Sequence, residues 1–93
     1  MTEKEQEILG ITQEECAEVI QAISKCVRFG IDNKHKSGTT QRENLSMEIG
    51  DLICMIGLMV ESGLVKEEDI NRAHGEKIEK IKVYSNIFKW SHV

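Results

Sequence analysis

Three stretches of the chain repeat apolar residues every three to four positions, which is the spacing of amphipathic helices. They cover residues 3–28, 43–61 and 67–84, with boundaries approximate to a few residues. No strand-like alternation continues beyond a few residues, and the chain contains no proline. Because proline is the strongest helix breaker, its absence favours continuous helices. The pattern therefore predicts an all-α protein.

The boundaries between these helices follow from local signals. A polar segment at about residues 30–42 predicts the one clear loop, and Ser62-Gly63 predicts the end of the second helix. Thr12 and Glu15 can form a capping box at a helix start. On that interpretation the first stretch is broken near Gly10, and a short helix over residues 3–9 precedes the main one.

Size and composition limit the class of protein. Ninety-three residues predict a single domain over residues 1–93. With 40% hydrophobic and 30% charged residues, the chain is too apolar for a disordered tail and too charged for a membrane protein. A net charge of −4 argues against a partner that is a nucleic-acid polymer.

The cysteines and the first residues bear on the compartment. Cys16, Cys26 and Cys54 do not have the spacing of a metal site. The first residues are acidic and lack the apolar stretch of a secretion signal. We therefore expect reduced cysteines and a cytoplasmic protein.

Two acidic residues interrupt the apolar stripe of the first helix. At about 100° per residue, Glu15 falls near the middle of this stripe and Glu18 at its edge. An ionised carboxylate on a core face costs free energy unless something compensates it. The stripe itself consists of Ile8, Ile11, Val19, Ala22, Ile23 and Cys26.

The second helix repeats the anomaly. It is apolar nearly all the way round, which predicts a central, buried helix. Glu48 and Asp51 nevertheless project from one face of it, because residues three apart lie about one turn from each other. Two helices therefore each offer a pair of acids from an apolar surface.

Four carboxylates in one core would repel each other unless some are protonated or cations bind between them. Oxygen ligands alone favour a hard ion, and Mg²⁺ typically binds carboxylates together with substrate phosphates. The pairs Glu15/Glu18 and Glu48/Asp51 therefore predict a Mg²⁺ site for a phosphate compound, with Mn²⁺ as the alternative ion. A purely structural role also exists, since Glu15 could simply complete the capping box.

Several cations could serve such a site. Lys77 lies within about 40° of the apolar stripe of the third helix, so it could reach the acids or a bound phosphate, or extend to solvent. Arg28 borders the loop and could contact phosphates, although a solvated loop is the simpler explanation. The same holds for Lys34, Lys36 and Arg42. The stripe beside Lys77 consists of Ile70, Ile81, Tyr84 and Phe88.

The ordered acid pairs resemble the signature of the MazG-like all-α nucleoside triphosphate pyrophosphohydrolase superfamily, in which an ExxE pair on one helix and an ExxD pair on the next bind Mg²⁺. Residues 14–23 (EECAEVIQAI) are similar to the first family helix and residues 44–53 (NLSMEIGDLI) to the second. A looser similarity continues through residues 70–84. In that segment Gly75 stands where many members have an Asn two residues before the lysine that resembles Lys77.

The resemblance implies hydrolysis of a nucleoside triphosphate, NTP or dNTP, to the monophosphate and pyrophosphate. It implies Mg²⁺ ligation by Glu15, Glu18, Glu48 and Asp51, with Glu18 or Glu15 as the general base. Lys77 and Arg28 are then the expected contacts to the substrate phosphates.

Association of chains is expected for two reasons. Members of the resembled superfamily associate, and the second helix has more apolar surface than two neighbouring helices can cover. Ser46, Gly50 and Gly57 form a strip of small residues where another helix could approach closely. We predict an antiparallel hairpin of the first two helices plus a third helix, with a four-helix-bundle core completed in a homodimer or homotetramer.

Two other functions remain open. A phosphoribosyl-ATP pyrophosphohydrolase has a similar length and acid pattern, but its usual residues are replaced here by Ile53-Cys54-Met55 and Ile11-Thr12-Gln13. A non-catalytic helical dimer acting as an adaptor would use the same acids for salt bridges. Dependence on a metal ion separates the enzymes from the adaptor.

Overall fold

The computed structural model describes residues 1–34 and 37–90. Helix α1 spans Glu3–Phe29, α2 spans Gln41–Glu61 and α3 spans Glu67–Tyr84, followed by a short 3₁₀ helix at Ile87–Lys89. The described residues form no strand, so the all-α prediction is confirmed. Lys36, considered above as a phosphate contact, lies outside the described residues.

Helix α1 is continuous, and the predicted break near Gly10 is wrong. The capping box lies at the start of the chain, where the Thr2 side chain accepts a hydrogen bond from the Glu5 amide and Glu5 accepts one from the Thr2 amide. Thr12 is not an N-cap, since its hydroxyl donates to the Ile8 carbonyl at 2.7 Å within the helix. A threonine can satisfy its hydroxyl in this way inside a helix, so the motif alone does not mark a helix start.

A hydrogen bond and an ion pair connect the loop before α2 to the first residues of that helix. A second capping box, formed by Thr40 and Glu43, starts the helix. The Gln41 amide donates to the Asn33 carbonyl at 2.8 Å, and Arg42 forms an ion pair with Asp32 at 3.1 Å. The predicted stop at the other end is confirmed, because α2 ends at Glu61 and Gly63 has a φ of 80°.

Helices α1 and α2 pack together as an antiparallel hairpin. Pockets shared by the two helices show the register, because Ile8 and Leu58 line one pocket and Ala22 and Asn44 line another. The core between them is small, and its buried residues are Ile8, Thr12, Ala22, Gln41 and Met55. Two members of the predicted α1 stripe, Ile11 and Ile23, are exposed, because they lie at its two edges and a single partner helix covers only its centre.

Helix α3 leaves the hairpin instead of packing along it. Among the described residues its main packing partner is the 3₁₀ helix, and none of its own residues is buried. The molecule is accordingly flat, with extents of 41 × 38 × 15 Å. The prediction that α2 is buried all round is wrong for one chain, since Met47, Ile49, Ile53 and Leu58 are exposed.

In the parts of the chain that the structure describes, no helix has both the length and the apolar character required to cross a membrane.

Candidate metal centre

The core stripe of α1 places one carboxylate directly against α2. Glu15 follows the buried Thr12 by three residues and precedes the half-buried Val19 by four, so it faces the same direction as both. On α2, the side chain of the buried Met55 projects in a direction between those of Glu48 and Asp51. Packing of the apolar residues therefore brings acids from both helices together.

The three carboxylates form a compact group. Glu15, Glu48 and Asp51 each offer an oxygen, and these oxygens all lie within 4.8 Å of one another. Glu15 and Glu48 are half-buried, and Asp51 is exposed. We call this group the carboxylate cluster.

The electrostatics of the cluster are unfavourable without a cation. Oxygen Oε2 of Glu15 is buried and has no hydrogen-bond partner among the described residues. Desolvation raises the pKa of Glu15 above its ordinary value, and the negative charges of Asp51 and Glu48 raise it further. Glu18 and Glu14 add smaller contributions in the same direction. The ionised form of Glu15 therefore lacks the compensation that a buried charge needs.

The cluster fits a divalent cation. Its donors are carboxylate oxygens only, which suit a hard ion such as Mg²⁺ or Mn²⁺ better than a soft one. The unpartnered Glu15 oxygen is the kind of atom that a bound cation would satisfy. Asp51, at the exposed side, leaves an approach from solvent.

Glu18 lies beside the cluster and is not one of its three members. It is exposed, and together with Glu48 it lines a pocket of about 170 Å³ between the two helices. We call this the polar pocket; its other lining residues are Gln21, Ala22, Lys25 and Asn44. Glu48 thus belongs both to the carboxylate cluster and to the polar pocket.

The two cations expected from the sequence lie elsewhere in this chain. Lys77 is exposed on α3, whose main packing partner among the described residues is the 3₁₀ helix and not the hairpin. The Arg28 guanidinium lies over the Phe29 ring at 4.9 Å, and Arg28 is 13 residues, about 20 Å of helix, beyond Glu15. Their contact with substrate phosphates therefore stays a prediction.

Sequence reasoning missed the cation that lies nearest to the acids along α1. Lys25 lines the polar pocket with Glu48. Its spacing carried a signal, because Gln21 and Lys25 follow Glu18 at intervals of three and four residues and so continue the same helix face. Asn44, one turn before Glu48, continues the matching face of α2.

The fold and the site define a class of protein: an all-α chain in which two neighbouring helices hold a cluster of carboxylates. The model of the MazG nucleotide pyrophosphohydrolase domain matches residues 3–83. The chain therefore belongs to the MazG family, and the resemblance to that family is confirmed. At the level of the family, this membership supports a nucleotide pyrophosphohydrolase.

One curated relative is similar over most of the chain. The uncharacterized protein YvdC of Bacillus subtilis (strain 168) is 32% identical over 74 residues, which cover 77% of this chain and 70% of that protein. No solved structure matches the chain significantly.

Proposed function

We propose that the protein is a Mg²⁺-dependent pyrophosphohydrolase that converts a nucleoside triphosphate, NTP or dNTP, to the monophosphate and pyrophosphate. The observation that carries this proposal is the carboxylate cluster, in which acids from α1 and α2 converge within 4.8 Å. A site that gathers several carboxylates at a half-buried position is costly for stability, and such sites are typical of function.

We assign the metal ligands to Glu15, Glu48 and Asp51. Glu18, which the resemblance implies as a fourth ligand, lies about one turn further along α1 and outside the carboxylate cluster. When bound, Mg²⁺ or Mn²⁺ would supply positive charge that neutralises the triphosphate and favours departure of pyrophosphate. The protein's own contribution is to hold the carboxylates in register, because the buried Ala22 and Met55 fix α1 against α2.

The general base follows from the same arrangement. Sequence reasoning left Glu18 and Glu15 as candidates, and the position of Glu15 inside the cluster favours it as a ligand. Glu18, exposed beside the polar pocket, is free to accept a proton. In this assignment water attacks phosphorus at the bridge between the α- and β-phosphates, and its proton passes to a Glu18 carboxylate oxygen. The P–O bond of that bridge breaks, and pyrophosphate leaves.

The second part of the proposal is a homodimer or a pair of dimers. On α1, Ile20 is 67% exposed and Val27 is 81% exposed, and they lie on one face with Ile23. On α2, Ile53 is exposed beside the strip of small residues. A side chain added at Gly50 or Gly57 in this strip would meet no described residue within 4 Å. Burying these faces against a second hairpin would complete the four-helix core.

A dimer also gives Lys77 a role. Because α3 does not pack on its own hairpin, we assign Lys77 to the site of a second copy, where it would stabilise phosphate charge. We further place the protein in the cytoplasm, where its substrates and reduced cysteines are found.

The reaction is tested with the purified chain and a panel of NTPs, dNTPs and phosphoribosyl-ATP, with Mg²⁺ or with EDTA. We expect pyrophosphate, not orthophosphate, to be released in the presence of Mg²⁺ only. Turnover of phosphoribosyl-ATP alone would assign the protein to that enzyme class instead. Absence of turnover in a folded protein whose melting temperature ignores Mg²⁺ and nucleotide would contradict the proposal and favour the adaptor.

The oligomer is tested by size-exclusion chromatography with light scattering. We expect a dimer or tetramer at micromolar concentration. A matched pair of variants locates the interface: Gly50→Leu should reduce association, and Gly10→Leu, on the exposed side of α1, should leave it unchanged. A monomeric wild-type protein would contradict this part of the proposal.

A further inference from the structure

The polar pocket continues the carboxylate cluster toward the loop end of the hairpin. Its lining is mostly polar, with the buried Ala22 as the apolar member. Along α1 the functional groups change from Glu15 and Glu18 to Gln21 and then to Lys25, about one turn at each step. Over these 10 residues, about 15 Å of helix, the face changes from anionic to cationic.

The opposite wall follows the same order. Because the hairpin is antiparallel, Asp51 and Glu48 lie toward the cluster and Asn44 lies toward Lys25. At its cationic end the pocket therefore offers an ammonium group and two side-chain amides, all of which donate hydrogen bonds. Lys25 is half-buried there, in contrast to the exposed Lys77 and Arg28.

We propose that Lys25, with the amides of Gln21 and Asn44, binds the terminal phosphates of the substrate, the part that leaves as pyrophosphate. The inference rests on the proposed function and assigns a direction to the substrate in that site. The nucleoside then lies on the far side of the carboxylate cluster from Lys25, and the bond that breaks lies near the acids.

The lining of the pocket favours phosphate over a nucleobase. Bases are usually held by aromatic or apolar side chains on which they stack, and the polar pocket has neither an aromatic residue nor an apolar wall beyond Ala22. Phosphate oxygens are acceptors only, and they match a lining of ammonium and amide donors. Glu18 and Glu48 repel a bare anion, so this end should bind phosphate together with Mg²⁺.

Calorimetry with inorganic pyrophosphate in the presence of Mg²⁺ tests the inference on the 93-residue chain. Lys25→Gln should weaken pyrophosphate binding about 10- to 100-fold, because a hydrogen bond from a charged donor is lost. The affinity for the nucleoside monophosphate should change less than about twofold, and Lys25→Arg should restore part of the pyrophosphate affinity. Lys4→Gln is the matched control at the other end of α1 and should bind pyrophosphate like the wild type.

The outcomes separate this inference from the proposed function. Equal pyrophosphate affinity of the wild type and Lys25→Gln overturns the assignment of Lys25, even if the wild type hydrolyses nucleotides. Equal loss of pyrophosphate and monophosphate binding, with a lower melting temperature in EDTA, also overturns it and assigns Lys25 a structural role. Lys25-dependent binding of pyrophosphate by a protein that hydrolyses no nucleotide would support the pocket and contradict the proposed reaction.

Discussion

The hairpin and α3 are both regular helical structure, but they are held in different ways. Helices α1 and α2 share a core in which Ala22 is only 2% exposed. Helix α3 buries none of its residues and is supported locally, by an acidic first turn at residues 67–69 and by two ion pairs. These pairs are Asp69–Arg72 at 2.7 Å and Glu79–Lys82 at 3.1 Å.

This difference separates the parts of the molecule that one chain completes from those for which we propose a second copy. The carboxylate cluster and the polar pocket lie wholly between α1 and α2, so their geometry depends on the packing of the hairpin. Exposed ion pairs stabilise a helix only slightly and do not fix its direction. Helix α3 and the exposed apolar faces are therefore where we place the contacts to a second copy.

The largest expected effect comes from the cluster itself. Glu48→Gln removes one ligand charge and should reduce Mg²⁺-dependent pyrophosphate release about 100-fold or more. Glu61→Gln, at the exposed end of the same helix, is the control and should keep wild-type turnover. Helical circular dichroism should be unchanged in both variants, and wild-type turnover by Glu48→Gln would exclude this residue from the site.

The second prediction tests whether α3 completes a site on another copy. Lys77→Gln and Glu48→Gln should each be nearly inactive, because every site in either protein lacks one group. A 1:1 mixture that has exchanged subunits should regain about a quarter of wild-type activity, since half of the dimers are mixed and each has one intact site. An inactive mixture, shown by light scattering and mass spectrometry to contain mixed dimers, would place Lys77 outside the partner's site.

A matched pair of alanine substitutions compares the stability of the two regions. Ala22→Leu inserts atoms into the hairpin core and should lower the free energy of unfolding by about 1–3 kcal/mol. Ala73→Leu on α3 enlarges an exposed side chain and should change it by less than about 0.5 kcal/mol. Urea denaturation of both variants gives the comparison, and equal destabilisation would show that α3 is packed as tightly as the hairpin.

The smallest effect is a pH dependence that arises from Glu15. Because its pKa in the folded state is raised, folding binds a proton, and stability is lost as the pH rises from about 4.5 through that folded-state pKa. In EDTA, Glu15→Gln should therefore melt above the wild type at neutral pH, and the difference should disappear below about pH 4.5. A difference that grows on acidification would contradict the sign of this shift.

Much of the fold could be predicted from the sequence because the signals for helix starts and ends are local. The end of α2 follows from Ser62-Gly63, and this prediction is confirmed. The predicted start of the third helix at residue 67 is confirmed as well. The capping box was ambiguous, because Thr followed three residues later by Glu occurs at Thr2, Thr12 and Thr40. Only at Thr2 and Thr40 does it start a helix, and nothing local distinguishes Thr12.

The site was predictable as far as it depends on the faces of two helices. The helical wheel places Glu15, Glu48 and Asp51 on apolar faces, and the structure brings these three together. The helical wheel does not predict that α3 leaves the hairpin, because the direction of a helix depends on the backbone of the segment before it. Lys77 therefore does not lie beside the acids of its own chain, and its contact with substrate phosphates stays a prediction. Lys25 was overlooked although its spacing from Glu18 was visible.

The central claim is that the carboxylate cluster binds a divalent cation, and calorimetric titration with Mg²⁺ tests it directly. We predict that the wild type and Glu61→Gln bind Mg²⁺ with the same affinity and that Glu48→Gln shows no measurable binding under the same conditions. Equal binding of Mg²⁺ by the wild type and Glu48→Gln, or no binding by the wild type with or without a nucleotide, would contradict it.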